Sequence, residues 1–273
     1  MNAKTILITG ATDGIGRLTA ETLLKQGHKV LLHGRSEEKL NAVIEALASY
    51  KGQTDAFLAD FSSLQSVADM ADEVIRKYSS LDVLINNAGI FKTAVTRTDD
   101  GLDTRLAVNT VAPFLLTHKL LPILKPGSRV VNLSSAAQGS VDIQGLAGHK
   151  TYSDDMAAYA QSKLAITMWT KTLARQLGER GPMIVAVNPA SLLGSKMVKQ
   201  GFGVAGGDLS IGADILCRAA LSDEFAQASG KYFDNDSGRF ANPHPDALNP
   251  ELAEQVTATV RQVLKDKVGY QAD

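Results

Sequence analysis

A tyrosine and a lysine, Tyr159 and Lys163, stand four residues apart in a stretch with the residue pattern of a helix. Side chains at this spacing share one face of a helix, so the ammonium can lie close to the phenol. Lowering a phenol pKa from about 10 to about 7 requires roughly 4 kcal/mol. One positive charge at about 4 Å, in an effective dielectric near 20, supplies about that amount. The pair could therefore act as a general acid and base near neutral pH, although such pairs also arise by chance.

The elements that would position this pair begin with a strand, a glycine-rich turn and a helix. A β-branched run at residues 5–9 leads into three glycines, and apolar residues at helical spacing follow. Glycines let the backbone approach a pyrophosphate, which then lies at the N-terminus of the helix. The spacing Gly-x-x-x-Gly-x-Gly differs from the commoner Gly-x-Gly-x-x-Gly. The predicted dinucleotide-binding turn comprises Gly10, Thr12, Asp13, Gly14, Ile15 and Gly16.

The residues after the second predicted strand, 29–32, indicate which nucleotide would bind. An NAD site usually has an acidic residue about 20 positions after the glycines, on the ribose 2′-hydroxyl. Here that region contains Gly34, Arg35 and Ser36. A guanidinium can bind a 2′-phosphate that a carboxylate would repel, so Arg35 favours NADP(H) over NAD(H). The alternatives are a solvated charge for Arg35 and a helix cap for Ser36.

Strands and helices alternate along most of the chain. Apolar, strand-like runs end at residues 59, 85, 133 and 187, and tracts with helical spacing separate them. This order predicts a parallel sheet with helices on both faces. We predict an α/β fold, a Rossmann-type doubly wound parallel sheet in three layers, as one domain over residues 1–273. Ligands of such sheets bind beyond the C-terminal strand ends, where Gly10, Arg35, Asp60 and Asn87 fall.

The composition limits the classes of function. The formal net charge is −1 and hydrophobic residues make up 44%, so the chain offers no strong field for nucleic acid. The histidines show no metal-ligand spacing, and Cys217, the only cysteine, excludes an intrachain disulfide. No apolar run approaches the roughly 20 residues that span a bilayer, and residues 1–4 do not resemble a signal peptide. We predict a cytoplasmic, metal-free protein without a membrane span.

Two segments with little periodicity would border a cleft at the strand ends. Residues 136–158, rich in Gly, Ser and Asp, are predicted to form one wall. Residues 191–208 contain five glycines and are either a lid or a plain surface loop. A short final strand is predicted at 231–233 and a C-terminal helix at 251–264. Apolar residues of the second segment favour an apolar substrate, unless they are core contacts: Leu192, Leu193, Met197, Phe202 and Val204.

Taken together, the motifs resemble the short-chain dehydrogenase/reductases from residue 4 to about residue 235. They are Thr9-Gly10-x-x-x-Gly14-x-Gly16, Asn86-Asn87-Ala88-Gly89, Asn109, Ser134-Ser135 and Tyr159-x-x-x-Lys163. Residues 131–135, 162–165 and 230–233 are similar to the retinol dehydrogenase-like branch. The resemblance implies an NAD(P)-dependent alcohol dehydrogenase or carbonyl reductase, and a homodimer or homotetramer formed through the long helices around Asn109 and Tyr159.

The resemblance also implies a role for each matching residue. Tyr159 would be the acid in carbonyl reduction and the base in alcohol oxidation, and Lys163 would lower its pKa and hold the nicotinamide ribose. Ser135 would hydrogen-bond the substrate oxygen, whereas Ser134 could be a structural contact. Asn109 would bend its helix and position a water of a proton relay. The other implied cofactor contacts are Asp60 and Phe61 at the adenine, Asn87, Ala88 and Gly89 at the adenosine ribose, and Pro189 and Leu192 near the nicotinamide.

The chain departs from the family pattern at two places. After the sixth strand the family usually has Pro-Gly and, five residues after the proline, a threonine on the carboxamide; here Ala190 and Gly194 stand there. The Leu192 backbone or a shifted Ser195 could replace that contact. Many NADP-preferring members have a basic residue before the middle glycine, where this chain has Asp13.

The leading hypothesis is an NADP(H)-dependent oxidoreductase that interconverts an alcohol and a carbonyl on a hydrophobic small molecule. The alternative is a non-catalytic protein that senses NADP(H) on the same fold, although it would be expected to lack Tyr159 or Lys163. A third possibility, an epimerase or dehydratase, would require a different glycine spacing and a larger C-terminal part.

Overall fold

The computed structural model describes residues 2–50 and 52–272, and its strands form one eight-stranded sheet. The strands are β1 (Thr5–Ile8), β2 (Lys29–Gly34), β3 (Thr54–Leu58), β4 (Val83–Asn86), β5 (Arg129–Leu133), β6 (Met183–Asn188), β7 (Tyr232–Asp234) and β8 (Arg239–Ala241). Their order is β3-β2-β1-β4-β5-β6-β7-β8, and neighbours are parallel except β7 and β8. The strand order reverses between β1 and β4, which is where ligands of such sheets bind.

Helices cover both faces of the sheet. They are α1 (Gly14–Lys25), α2 (Glu37–Ala46), α3 (Leu64–Lys77), α4 (Thr104–Leu106), α5 (Ala112–Leu120), α6 (Ile143–Leu146), α7 (Asp155–Leu177), α8 (Lys196–Phe202), α9 (Leu209–Leu221) and α10 (Pro250–Val268). In β1, Ile6 and Ile8 join the core beneath α1, α2 and α9, whereas Leu7 joins the core beneath α3, α5, α7 and α10. Alternate side chains of a strand point to opposite faces, so a sheet covered on both sides buries all three. The predicted three-layer doubly wound fold is confirmed.

Polar residues cap the helices that lead away from the strand ends. Ser36, Ser63 and Asp154 accept hydrogen bonds from amides in the first turns of α2, α3 and α7. Such a cap typically stabilises a helix by about 1 kcal/mol. Ser36 therefore has the cap role that the sequence allowed. Asp60 does not cap α3; its carboxylate accepts from the Ser62 amide at 2.9 Å.

Three short elements of the structure were not predicted from periodicity. The segment 191–208 includes α8, which Ser195 caps and Gly203 ends at φ 70°. The segment 136–158 includes the single turn of α6. The strand predicted at 231–233 is not the last, because β8 pairs with β7 in antiparallel register. All three elements are short, so their sequences hold too few residues to display a period.

The helical segment Thr104–Ile123 is long and apolar enough, by composition, to cross a membrane, which the sequence analysis had not expected. Its most apolar window is 78% buried inside the fold. Arg105 and Asn109 within it are also buried. Contacts of this segment with α3 and α7 make it a core helix.

The C-terminal helix α10 packs along α7 and also contacts α3 and α6. Val256, Val260 and Val263 of α10 are buried in the same core as α5 and α7. This helix therefore covers a surface of the long helices through which homo-oligomers were predicted to form. Oligomerisation stays a prediction, and it would need surface that α10 leaves open.

Candidate active site

The glycine turn between β1 and α1 leaves no room for a side chain at Gly10 or Gly16. Gly10 has φ 67°, and a Cβ there would lie 2.9 Å from the Cα of Ala88. A Cβ on Gly16 would lie 2.4 Å from the Gly10 carbonyl oxygen and from Asn87 Nδ2. That amide donates to the carbonyls of Thr9 at 2.8 Å and Gly10 at 3.1 Å. Asn87 thus holds the turn in place from the end of β4, a role that the predicted ribose contact did not include.

The residues between the glycines have different surroundings. A Cβ on Gly34 would lie 2.5 Å from the Thr12 methyl carbon, and one on Gly212 would lie 3.1 Å from Ile15 Cδ1. The side chains of Thr12 and Ile15 therefore pack within the protein, which leaves their backbone for a ligand. At Gly14, φ is 55° and the nearest atom to a Cβ is that of Ser195, at 3.8 Å. This open position at the start of α1 is where a pyrophosphate could approach.

His33 is a buried residue of the site that the sequence analysis missed. Its Nδ1 accepts from the Gly10 amide at 3.1 Å, and its Nε2 lies 3.0 Å from the Ala59 carbonyl oxygen. Because Nδ1 accepts, Nε2 carries the proton and donates to Ala59. The ring stacks on Phe61 with centroids 4.4 Å apart, so Phe61 supports the turn through His33. Burial lowers the pKa of His33 to about 4.

We expect the free energy of unfolding to decrease as the pH falls from 6.5 towards 4. In this range the unfolded chain protonates His33 while the folded protein keeps the ring neutral, so the unfolded state binds more protons. The difference between pKa 6.5 and about 4 corresponds to about 3 kcal/mol. Urea unfolding at pH 7 and pH 4.5 measures it. His33→Gln, which does not titrate, should lose less stability than the wild type, and an equal loss would show that other groups dominate.

Arg35 and Asp60 are exposed just beyond the C-terminal ends of β2 and β3. These strands lie on the same side of the switch point as the glycine turn. Both side chains are therefore placed for the adenosine half of a dinucleotide. Their contacts with a cofactor stay predictions.

Ser135, Tyr159 and Lys163 come together beside the end of β5. The Ser135 hydroxyl interacts with the Tyr159 phenol. Lys163 Nζ donates to the Leu133 carbonyl at 2.8 Å and lies 5.6 Å from the centroid of the Tyr159 ring. Ser135 Oγ accepts from the Ala137 amide at 3.1 Å, which leaves its hydroxyl hydrogen for the phenol or a substrate oxygen. The three residues thus form one polar cluster.

The ionisation of this cluster differs from the expectation for an isolated pair. Burial raises the pKa of Tyr159, and the hydrogen bond with Ser135 acts in the opposite direction. Burial also lowers the pKa of Lys163 to about 8. The Lys163 ammonium donates to Leu133 and faces the ring, so the predicted lowering of the Tyr159 pKa by Lys163 is not seen in this structure. The phenol is accordingly protonated at neutral pH.

Asn109 lies in a π-helical turn, Ala107–Val111, between α4 and α5. Its Oδ1 accepts from the Ile90 amide at 2.8 Å, and its Nδ2 donates to the Ile90 carbonyl at 2.9 Å. A Cβ on Gly89 would lie 3.3 Å from Asn109 Oδ1 and 3.5 Å from Lys163 Nζ, so both atoms border the same narrow space. The helix is thus distorted where the family resemblance implied. The water relay stays a prediction.

Ser134 holds α7 against the end of β5, and Ser162 holds α7 against the helical turn of Asn109. Ser134 Oγ donates to the Lys163 carbonyl at 3.1 Å, which supports its structural interpretation. Ser162 Oγ accepts from Asn109 Nδ2 at 2.9 Å and donates to the Tyr159 carbonyl at 2.7 Å. These bonds fix the spacing between Asn109 and Tyr159.

The backbone after β6 contains two unusual turns, at Ala190 with φ 113° and Leu192 with φ 51°. Glycine adopts such angles readily and alanine does not, which accounts for the glycine that the family usually has at position 190. A Cβ on Gly194 would lie 2.8 Å from the Gly207 carbonyl oxygen, so a threonine cannot fit there. Ser195 accepts from the Val198 amide at 3.2 Å as the cap of α8. Position 194 therefore offers a cofactor no side chain.

Helix α8 connects the glycine turn to Tyr159. Lys196 Nζ lies 2.6 Å from the Asp13 carboxylate, at the start of α1. At the other end of α8, the Phe202 ring stacks on Phe91 with centroids 5.1 Å apart. Phe91 in turn meets the Tyr159 ring edge to face at 5.3 Å. No spacing in the sequence marks Lys196 or Phe91, because both pairings join distant segments.

Two cavities are lined by residues outside the glycine turn and outside the Ser135, Tyr159 and Lys163 cluster. Cavities of about 320 Å³ and 490 Å³ lie elsewhere, the first beside Lys4, His28 and Asp82 and the second beside Lys171 and Arg239. Within residues 2–50 and 52–272, no three His, Cys, Asp or Glu side chains gather as metal ligands. The glycine turn, the open start of α1 and the Ser135, Tyr159 and Lys163 cluster fit a nicotinamide dinucleotide along one sheet edge. Fold and site together define a Rossmann-type oxidoreductase.

The profile of the short chain dehydrogenase family matches residues 4–202. The chain belongs to the short-chain dehydrogenase/reductase family. Retinol dehydrogenase 13 of Homo sapiens is 34% identical to it, over 93% of this chain and 82% of that protein. Retinol dehydrogenase 12 of Bos taurus is 35% identical, over 93% of this chain and 84% of that protein. These relatives place it in the retinol dehydrogenase-like branch.

Solved structures share the fold at lower identity. An uncharacterized protein from Mycobacterium paratuberculosis has a TM-score of 0.81 at 28% identity, over 99% of this chain and 95% of that chain. A short chain dehydrogenase from Burkholderia cenocepacia, solved in complex with NADP, has a TM-score of 0.68 at 27% identity, over 85% of this chain and 95% of that chain. Nicotinamide cofactors are therefore the ligands to test first.

Proposed function

We propose that this protein is an NADP(H)-dependent oxidoreductase that interconverts an alcohol and a carbonyl on a hydrophobic small molecule. The cluster of Ser135, Tyr159 and Lys163 at the end of β5 carries the proposal. Asn109 borders the same space as Lys163, and the glycine turn lies at the same edge of the sheet. A proton donor and a dinucleotide cradle are the parts that such a reaction needs from the protein.

In the reducing direction, Tyr159 donates a proton to the carbonyl oxygen of the substrate. Burial keeps the pKa of its phenol above the ordinary value, so the acid form is present at neutral pH. The Ser135 hydroxyl would orient the substrate oxygen. A nicotinamide cofactor held by the glycine turn and Lys163 would supply the hydride when bound. With a pKa of about 8, Lys163 is mostly protonated at pH 7, so its ammonium is available to hold the nicotinamide ribose.

The preference for NADP(H) is supported by two side chains near the glycine turn. Arg35 is exposed at the end of β2, where a ribose 2′-phosphate would lie. Asp13 would repel that phosphate, but Lys196 pairs with its carboxylate at 2.6 Å. Partial burial acts to raise the pKa of Asp13, and the bonds from Lys196 and the Gly14 amide hold it below its ordinary value. Lys196 therefore offsets the charge that departs from the family pattern.

Arg35→Asp should weaken NADPH binding by about tenfold to a hundredfold and improve NADH binding, because a charge-assisted hydrogen bond contributes about 1.5–3 kcal/mol. Lys196→Gln should weaken NADPH binding more than NADH binding, because it leaves the Asp13 carboxylate without its paired cation. Lys199→Gln, on the same helix, should leave the ratio of the two dissociation constants unchanged. Fluorescence titration with both cofactors gives the dissociation constants. An unchanged NADPH to NADH ratio in Arg35→Asp would show that Arg35 does not contact the phosphate.

The surroundings of Tyr159 support an apolar substrate. Phe91 packs against the Tyr159 ring, and Phe202, which is 44% exposed, stacks on Phe91. Leu192 and Val204 are 49% and 43% exposed, whereas Leu193 is buried and belongs to the core. The relatives are named for retinol, an apolar alcohol, and we extend that class to this chain.

A panel of aldehydes and ketones, with retinaldehyde included, tests the proposal by NADPH absorbance. Oxidation of NADPH by apolar carbonyls supports a reductase. Tight NADPH binding without turnover across the panel would favour the sensing protein instead. A cytoplasmic location and a homo-oligomer stay predictions, and sedimentation of the purified chain tests the second.

A further inference from the structure

We infer that Asp236, in the turn between β7 and β8, is a positioning residue that holds the backbone after β6 in the shape of the cofactor site. The inference rests on the proposed NADP(H) function, because Pro189 and Leu192 are the predicted nicotinamide contacts. Neither the family motifs nor the residue spacing marks Asp236.

One carboxylate forms three hydrogen bonds with this segment. Asp236 Oδ1 accepts from the Ser191 amide at 2.8 Å, and Oδ2 accepts from the Ser191 hydroxyl. Oδ2 also accepts from Asn188 Nδ2 at 2.9 Å. These bonds reach the residues on both sides of Pro189 and Ala190.

The two residues before Asp236 strengthen the same contact. Asn188 Nδ2 also donates to Asp234 Oδ1 at 2.8 Å, and the Asn235 amide donates to the Asn188 carbonyl at 3.2 Å. Asn235 Nδ2 donates to the Pro189 carbonyl at 3.1 Å. The turn after β7 therefore binds three of the four residues 188–191 and leaves Ala190 between them.

These hydrogen bonds from residues 234–236 to residues 188–191 act as a clamp, and the backbone at Ala190 explains why it is needed. The Ala190 φ of 113° is one that residues with a side chain rarely adopt, and Leu192 follows at φ 51°. Residues keep such angles only when the surrounding contacts impose them. Without Asp236, Ala190 would relax to negative φ and displace Pro189 and Leu192 from the strand end. A glycine at position 190 would keep the turn without this restraint.

The test compares Asp236→Ala and Asp236→Asn with the wild type, in the full chain. Asp236→Ala should raise the dissociation constant for NADPH about tenfold and speed hydrogen exchange of the amides at 189–195. Asp236→Asn retains an acceptor, so its NADPH dissociation constant and its exchange rate should lie between those of the wild type and those of Asp236→Ala. At saturating NADPH, kcat should change less than the KM for NADPH. Adding Ala190→Gly to Asp236→Ala should recover most of the affinity, since glycine removes the strain that the clamp opposes.

Ser237→Ala is the matched control. Ser237 lies in the same turn, and among the described residues its hydroxyl donates to Asp234, at 2.7 Å and 3.2 Å, and to none of the residues 188–191. It should leave exchange at 189–195 and NADPH binding unchanged. If the wild type binds no NADPH, the proposed function fails, while faster exchange in Asp236→Ala still supports the clamp. If the wild type binds NADPH and Asp236→Ala matches it in affinity and exchange, the inference is overturned. A failure of Ala190→Gly to restore affinity would overturn the role of strain.

Discussion

Tyr159→Phe should reduce turnover by about a thousandfold, within the range that general acid catalysis usually contributes, and should leave NADPH binding nearly unchanged. The substitution removes the proton donor that burial keeps protonated and that Ser135 contacts. It keeps the ring that packs edge to face with Phe91. Initial rates with the best carbonyl of the panel, together with cofactor titration, measure the two effects separately.

Tyr152→Phe provides the matched control. Its hydroxyl donates to Gln161 Oε1 at 3.1 Å, so the change also removes a phenol hydrogen bond next to α7. That variant should keep most of the activity because Tyr152 lies outside the Ser135 cluster. Full turnover in Tyr159→Phe would remove the tyrosine from the mechanism and require another acid.

Arg105→Met should lower the free energy of unfolding by about 3–5 kcal/mol, the usual effect of breaking a buried ion pair. The Arg105 side chain is fully buried and pairs with Asp103, at 2.6 Å, and with Asp155. It also donates to the Tyr152 carbonyl at 3.2 Å. Without the guanidinium, the fully buried Asp103 carboxylate loses the cation with which it forms its ion pair. Urea unfolding at pH 7 measures the loss.

The same substitution should impair catalysis in the protein that remains folded. Arg105 precedes Asn109 by 109 − 105 = 4 residues, and Asp155 precedes Tyr159 by 159 − 155 = 4 residues. The ion pair of Arg105 and Asp155 therefore links the two helices one turn before Asn109 and one turn before Tyr159. A lower kcat with little change in NADPH affinity is expected.

Two controls separate the buried ion pair from a general effect of removing arginine. Arg175→Met removes an exposed ion pair with Glu254 and should cost less than about 1 kcal/mol. Asp103→Leu combined with Arg105→Met replaces the pair by apolar groups and should recover much of the stability. Equal losses in the free energy of unfolding for Arg105→Met and Arg175→Met would contradict the stabilising role of the buried ion pair.

The sequence by itself determined the fold class and the positions of the chemical groups. The alternation of strand-like and helix-like segments along the chain predicted the doubly wound sheet. Helices cover both faces of this sheet, so strands such as β1 are apolar on both faces and stand out in the sequence. The glycine turn and Tyr159-x-x-x-Lys163 were recognisable because their geometry depends on residues close in sequence. The short elements α8 and β8 were not predicted, because seven and three residues are too few to display a period.

Only the tertiary structure decided how these groups are held and ionised. His33 supports Gly10, Lys196 pairs with Asp13, and Arg105 links the helices of Asn109 and Tyr159. Each contact joins segments 23 to 183 positions apart, so no local pattern could reveal it. The same holds for the pKa of Tyr159, because the burial that raises it is a property of the packed site and does not follow from the spacing to Lys163.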